Sequence, residues 1–336
     1  MTDRPTCHHG DFGSEVILIQ ERLDCAQDGD FGPQTRDAVE TFQATHRLSV
    51  DGVVGSDTWA KLHKRHDLPA YPPAPLPLLS PGHMREIKDI VAASAIAGYS
   101  WRDRGVAPLG YLQGMAFSYV TLYRKFRQYD QPTLFLVERA DGNHSSTDAL
   151  DYYNDIFQAN GMSNSADGID TLRHLLVMMI GLGMRESSGK YCEGRDQSAS
   201  NTSSDTCEAG LFQTSWNCHN CSTDFERVYD EYHAMDISHQ QTGLELFSNG
   251  VACGASDWEC YGSGQGYDYQ WLAKHAPQFA VESTAIGLRG LRQHWGPIGR
   301  KEVEIRREAD EMLVEIQQAF FTWTWPVSEN QGGAGG

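Results

Sequence analysis

An eight-residue pattern that recurs once constrains the first sixty residues more than any other feature. Asp28-Gly29-Asp30-Phe31-Gly32-Pro33-Gln34-Thr35 returns 23 residues later as Asp51-Gly52-Val53-Val54-Gly55-Ser56-Asp57-Thr58. Each copy reads as a glycine-rich turn that opens a short helix. Gly29, Gly32, Gly52 and Gly55 are available for positive-φ positions, and Pro33 suits a helical first turn. Val16, Ile19, Leu23, Ala38, Val39, Phe42, Leu48, Val54, Trp59 and Leu62 fall at helical spacing and supply one small core. The segment is therefore expected to form a compact three-helix module over residues 1–66. A proline-dense stretch, Asp67 to Pro77, follows, and prolines at that density impose extended polyproline II conformation. A semi-rigid linker is expected over 67–83.

From Met84 onward, helix-like runs cover Ile87–Ala97, Gly114–Phe126, Ala149–Ala159, Ile169–Met184, Asp268–Gly290 and Arg300–Phe321, and few segments alternate like strands. The expected fold class is all-α, with a larger domain over 84–328 and a flexible tail over 329–336. The longest apolar run, Leu175 to Leu182, falls short of the ~20 residues of a membrane span. A formal net charge of −18 argues against nucleic acid and anionic membrane surfaces as partners.

The chemistry concentrates at Gly183-Met184-Arg185-Glu186-Ser187-Ser188-Gly189, where a glutamate ends the apolar run from Leu172. A carboxyl half-buried at a helix terminus has its pKa raised toward that of a general acid. Glu208-Ala209-Gly210-Leu211-Phe212-Gln213-Thr214-Ser215 follows about twenty residues later. This ordered pair resembles the Glu-Ser-x-Gly and Gly-Leu-Met-Gln signatures of goose-type lysozymes and lytic transglycosylases. The resemblance implies a lysozyme-like α domain that cleaves the β-1,4 bond between N-acetylmuramic acid and N-acetylglucosamine, with Glu186 as general acid. A second carboxylate positions water or attacks the sugar in glycosidases. Glu193 and Glu208 are the candidates, with Asp196, Asp205 and Asp224 competing. Goose-type lysozymes place an acid shortly before the second motif, which points at Asp205 or Glu208, but their aspartate just after it is replaced by Ser215. Lytic transglycosylases need no second carboxylate, so both mechanisms stay open. A chitinase-like hydrolase and a non-catalytic wall-binding protein are the remaining alternatives. Tyr261-Gly262-Ser263-Gly264-Gln265-Gly266-Tyr267 more weakly resembles the Tyr-Asn-Ala-Gly loop of lytic transglycosylases. On that basis Ser187, Gln213, Tyr261, Tyr267 and Tyr269 are expected to line a sugar groove.

The repeated turns, with Ala38-Val39-Glu40-Thr41-Phe42-Gln43, resemble the peptidoglycan-binding type 1 domain of bacterial and phage wall enzymes. That resemblance implies bacterial peptidoglycan as partner and a groove beside the turns, with Asp30, Phe31, Asp51 and Trp59 as candidates; Phe31 and Trp59 also suit the core. No cofactor is implied. The eight cysteines fall in local pairs, Cys7 with Cys25, Cys192 with Cys207, Cys218 with Cys221 and Cys253 with Cys260. Four local disulfides fit this spacing and an oxidising compartment, periplasmic or extracellular. A Cys192–Cys207 bridge would gather Glu193 and Glu208 near Glu186. Cys218-His219-Asn220-Cys221 also has zinc-like spacing, but no second tight Cys-x-x-Cys accompanies it, so no metal is expected. The N-terminus shows no basic region followed by an apolar stretch. Delivery by phage lysis or specialised secretion is expected, with a secretion carrier or an immunity or inhibitor protein as further partners.

Overall fold

Each copy of the repeat is closed by a glutamine one helix upstream. Gln20 lies in α1 (Ser14–Arg22), and Gln43 lies in α2 (Pro33–Thr45), which precedes α3 (Ser56–Lys64). The Gln20 amide accepts from Gly29 N–H (2.9 Å) and donates to Asp28 Oδ1 (2.6 Å), Asp30 O (2.8 Å) and Thr35 Oγ1 (2.9 Å). Gln43 repeats the set on Gly52 N–H (3.0 Å), Asp51 Oδ1 (2.8 Å), Val53 O (2.9 Å) and Thr58 Oγ1 (3.2 Å). One buried side chain thus satisfies the backbone of a whole turn, which is why Asp, Gly and Thr recur at fixed offsets. Val16, Ile19, Phe31, Val39, Phe42, Val54, Trp59 and Leu62 form the core beneath. Trp59 is consumed by that core: it is buried, and its indole N–H donates to Pro5 O at 3.0 Å. This corrects its expected place in a wall-binding groove, and Phe31 is likewise fully buried.

The structure, a computed structural model, describes residues 5–323 apart from 24, 46–47, 65–75, 129, 141, 143, 196–202, 236 and 238–239. The first nine residues of the linker expected over 67–83, the competing Asp196 and the tail from 329 lie outside the described residues. Residues 76–80 pack on the larger body, where the Gln241 amide pairs both ways with Leu79, accepting from its N–H (2.6 Å) and donating to its carbonyl (3.0 Å). α4 (Pro81–Ala93) starts three residues before the expected domain start, because Ser80 caps it by accepting from His83 N–H and Pro81 needs no N–H partner in the first turn.

A two-stranded hairpin, β1 (Ser100–Trp101) and β2 (Gly105–Val106), leads into α5 (Leu109–Arg127) and α6 (Gln131–Leu136). Short helices α7 (Ala149–Tyr152) and α8 (Asn154–Ala159) precede α9 (Ile169–Ser187). Then come α10 (Thr223–Ala234), α11 (Leu244–Phe247), α12 (Gln265–His275), α13 (Pro277–Gly290), α14 (Gly296–Gly299) and α15 (Arg307–Thr322). The all-α expectation holds. The single run expected over 268–290 is divided because Pro277 has no N–H to continue α12, and the run expected from Arg300 becomes helical only at Arg307.

α5, α9 and α13 are buried on nearly every face, as helices of a body's centre are. α5 and α9 approach closely because Gly183 has no side chain; a Cβ there would collide with the Tyr111 hydroxyl. That hydroxyl lies within hydrogen-bond distance of Ile180 O (2.8 Å) and Met179 O (3.1 Å) and shares its one proton between them, fixing the helix pair. A buried ion cluster ties α5 to α10 and α13: Lys125 Nζ reaches Glu231 Oε1 at 2.9 Å and Glu282 Oε2 at 2.7 Å. The same packing aims the C-terminus of α9 at the loops after it.

Candidate active site

α9 stops at Glu186–Ser187 because Ser188 and Gly189 both take positive φ, 55° and 76°. Their N–H groups return to Met184 O and Gly183 O, each at 3.1 Å, closing the helix end. Glu186 is left partly buried at that end. Burial raises its pKa to about 7, and the Glu208 carboxylate adds to the rise. Arg104, Arg300 and Arg185 oppose it without reversing it. A carboxyl in this state is protonated just below neutrality and can donate its proton to a leaving oxygen.

The second motif folds as a tight hairpin seated on the first. Ala209 and Thr214 bridge (Ala209 N–H to Thr214 O, 3.0 Å), and Gly210 N–H donates to Glu193 O at 2.8 Å. Gly210 takes φ 73°, and a Cβ there would stand 2.9 Å from Ala273 O, so only glycine fits between this hairpin and α12. Leu211 and Phe212 are buried, and Trp295 Nε1 donates to Phe212 O at 3.1 Å. Ser187 joins the two motifs: its hydroxyl lies within hydrogen-bond distance of Gly183 O (3.1 Å) and Leu211 O (2.8 Å). Its one proton is used in this seam, so Ser187 holds the hairpin to the helix end and is not a substrate contact as expected.

The other expected residues divide. Glu208 sits near enough to Glu186 for its charge to push the Glu186 pKa up. Glu193 is held elsewhere: its carboxylate is 3.1 Å from Lys190 Nζ, which also holds Asp257 at 2.8 Å. Gln213 occupies the hairpin tip at φ 46°, its amide donating to Gly210 O at 3.0 Å. Tyr261 and Tyr267 are each 38 % exposed, and the Arg195 guanidinium lies 4.8 Å from the Tyr261 ring centroid. Tyr269 is fully buried, stacked on Phe225 at 5.8 Å between ring centroids and edge-to-face with Phe279 at 5.3 Å, and belongs to the core. The exposed aromatic partner of Tyr267 is instead Trp271, 38 % exposed and stacked 4.3 Å from His275. Of the competing acids, Asp224 is held by Arg227 (2.7 Å) in the first turn of α10, and Asp205 is exposed on the loop before Glu208. Ser215 is buried, its hydroxyl bonded to Asn217 Oδ1 at 2.7 Å. In the repeat, Asp51 Oδ1 is shared between Gln43 and Val53 N–H, whereas Asp30 contributes its carbonyl and keeps its side chain exposed.

The cysteines also pair differently from expectation. Cys192 bonds to Cys253, 61 residues away, with Cα atoms 6.1 Å apart. The Lys190–Asp257 ion pair draws the 253–258 segment onto the chain leaving α9, so the spatial neighbour of Cys192 is not its neighbour in sequence. The Cys192–Cys207 and Cys253–Cys260 pairings are therefore both replaced; Cys207 and Cys260 are thiols whose pKa values burial pushes up. Cys218 and Cys221 meet as hydrogen-bonded thiols in the turn Trp216–Cys221. Cys7 and Cys25 form no disulfide; their sulfurs contact Pro5 O (3.7 Å) and Gln20 O (3.5 Å). The loop ahead of Glu208 is pinned by Gln270 instead, whose amide donates to Ser204 O (3.2 Å), Tyr261 O (3.2 Å) and Gly266 O (2.9 Å).

Arg104 and Arg300 were not legible as site residues. They arrive from the β1–β2 hairpin and from the segment after α14, far from either motif in sequence.

Residues 12–62 match the family described as a putative peptidoglycan binding domain. An N-acetylmuramoyl-L-alanine amidase, CwlL, of Bacillus licheniformis is 60 % identical over 35 residues, which are 10 % of this chain and 10 % of the amidase. An uncharacterised protein in the bpoA1 3' region of Kitasatospora aureofaciens is 40 % identical over 68 residues, 18 % of this chain and 58 % of that protein. The chain thus spans a tenth and somewhat over half of these curated relatives. The crystal structure of a Burkholderia AP3 phage endolysin aligns over 94 % of this chain and 98 % of its own, at 16 % identity and a TM-score of 0.18, too low to carry an argument.

Proposed function

We propose that this protein is a peptidoglycan-cleaving glycosidase, a muramidase in which Glu186 protonates the oxygen of the β-1,4 bond leaving N-acetylmuramic acid. The observation that carries the reading is one carboxyl held protonated near neutrality, with a second beside it, at the end of a buried helix. Glu208 is the partner carboxylate, positioning water or meeting the sugar cation. The exposed Tyr261, Tyr267 and Trp271 supply aromatic faces on which pyranose rings pack. The module over 1–66, whose repeat matches a peptidoglycan-binding family, holds the enzyme on its insoluble polymer through the proline-rich linker, raising its local concentration. The wall-degrading name of the Bacillus relative agrees with that assignment. The Cys192–Cys253 bond fits work in an oxidising compartment outside the cytoplasm. Among the described residues no helix is long and apolar enough to cross a membrane.

Ser215, standing where goose-type lysozymes carry an aspartate, favours a second reading in which the muramyl 6-hydroxyl attacks and an anhydro product leaves. Mass spectrometry of soluble products from purified peptidoglycan, with the protein and its Glu186→Gln variant, separates the two. Reducing muramic ends lost in the variant are the expected result, and anhydro ends would make the enzyme a lytic transglycosylase. Cleavage of chitin oligomers with none of peptidoglycan would move it to the chitinases. An absence of any Glu186-dependent product would leave a wall-binding protein.

A further inference from the structure

In a protein of formal net charge −18, two arginine side chains at the β1–β2 hairpin tip, Arg102 and Arg104, have no carboxylate partner among the described residues. The tip is turned by Asp103 at φ 60°, and both arginines are exposed. Arg104 donates to Arg185 O at 2.5 Å, so its guanidinium stands over the last turn of α9, one residue from Glu186.

The surrounding charges are already matched. Arg185 (3.3 Å) and Arg300 (2.8 Å) converge on Glu302. Glu304 accepts from the Tyr99 hydroxyl (2.7 Å) and from Arg102 N–H (2.9 Å). Arg102, Asp103 and Arg104 line, with Arg185, Glu302 and Glu304, a polar cavity of about 130 Å³ between the hairpin and α9. The hairpin tip itself carries Arg102, Asp103 and Arg104, a net excess of one positive charge at this rim. Arg104 makes its hydrogen bond to a carbonyl, and among the described residues no carboxylate forms an ion pair with its remaining guanidinium donors. A guanidinium presents five donors in a planar fork that matches a carboxylate with two parallel bonds.

We propose that Arg102 and Arg104 form a subsite for a carboxylate of the peptide stem carried by the substrate's muramic acid. This rests on the reading of Glu186 as the acid of a peptidoglycan glycosidase. It gives the enzyme a means of preferring stem-bearing wall over chitin, whose N-acetylglucosamine units carry no carboxylate. It also assigns the hairpin, the only β-sheet among the described residues, a reason to overhang the site.

The test is a binding titration of the full-length Glu186→Gln protein, with soluble disaccharide-peptide fragments and with the same fragments after their carboxylates are converted to primary amides. A lost charge-assisted contact weakens binding by roughly tenfold or more. That factor is expected between native and amidated fragments. It should vanish when Arg102→Gln and Arg104→Gln are added, and return in part with Lys at both positions. Equal affinity for the two fragments, or a difference that survives both Gln substitutions, overturns the proposal. Failure of the unsubstituted enzyme to cleave peptidoglycan would be a separate result, striking the glycosidase reading while the binding ratio still decides whether the hairpin reads carboxylates.

Discussion

Replacing Glu186 by Gln should make the protein more stable above about pH 4.5, with the gain growing up to about pH 7 and level beyond it. An unfolded glutamate titrates near its ordinary value of 4.5, and in the fold Glu186 titrates at about 7. Between those two values the folded state holds a proton that the unfolded state has released, so this group's contribution to stability falls as pH rises through the window. Below it both states are protonated and the group costs nothing. Above it the carboxylate is ionised beside Glu208 in a site that solvates it poorly. A tenfold change in proton affinity is worth about 1.4 kcal/mol, so a rise from 4.5 to about 7 corresponds to roughly 3 kcal/mol at pH 8 as an upper bound. Gln keeps the shape and removes the ionisation. Urea unfolding of both proteins at pH 8 and pH 4, with slopes compared, reads the difference. The variant should gain up to about 3 kcal/mol at pH 8 and close to none at pH 4. An equal effect at both pH values, or a loss at pH 8, would refute the claim that burial and Glu208 hold this carboxyl protonated.

The same electrostatics predict that the alkaline limb of kcat/KM on peptidoglycan falls with an apparent pKa near 7, and that Arg104→Gln moves it to higher pH, because Arg104 pulls the Glu186 pKa down while Glu208 pushes it up. Gln43→Ala should destabilise the N-terminal module by roughly 3 kcal/mol, since several buried bonds lose one hub; a thermal melt of the full chain should show an early transition absent from the parent. Reducing the Cys192–Cys253 bond should lower the urea midpoint of the larger body, loop closure over 61 residues being worth about 4 kcal/mol by chain entropy. Lys125→Met leaves Glu231 and Glu282 buried without their cation and should cost about 3–5 kcal/mol, read by the same denaturation.

Local features were legible in the amino-acid order, and long-range ones were not. The 23-residue repeat and its turns could be read because the pattern that forms them lies within a few residues, yet the Gln20 and Gln43 hubs could not, since each acts eight to fifteen positions downstream. Glu186 was legible because a glutamate closing an apolar run marks its own environment. Glu193 and Glu208 could not be told apart, because their separation depends on Lys190 and on a disulfide to Cys253 that local spacing does not announce. The mistaken Tyr269 follows from helix phase. Residues two apart differ by about 200° around a helix, so Tyr267 and Tyr269 cannot both face solvent, whereas Tyr267 and Trp271 can. Arg104 was invisible because a two-residue strand leaves almost no trace in periodicity.

The bond between Cys192 and Cys253 has a consequence for survival among hostile peptidases. A cut anywhere from residue 193 to 252 opens the chain but releases neither piece, because both flanks stay covalently joined. A nicked molecule would keep its helix ends in place and run as one species until a reductant separates it.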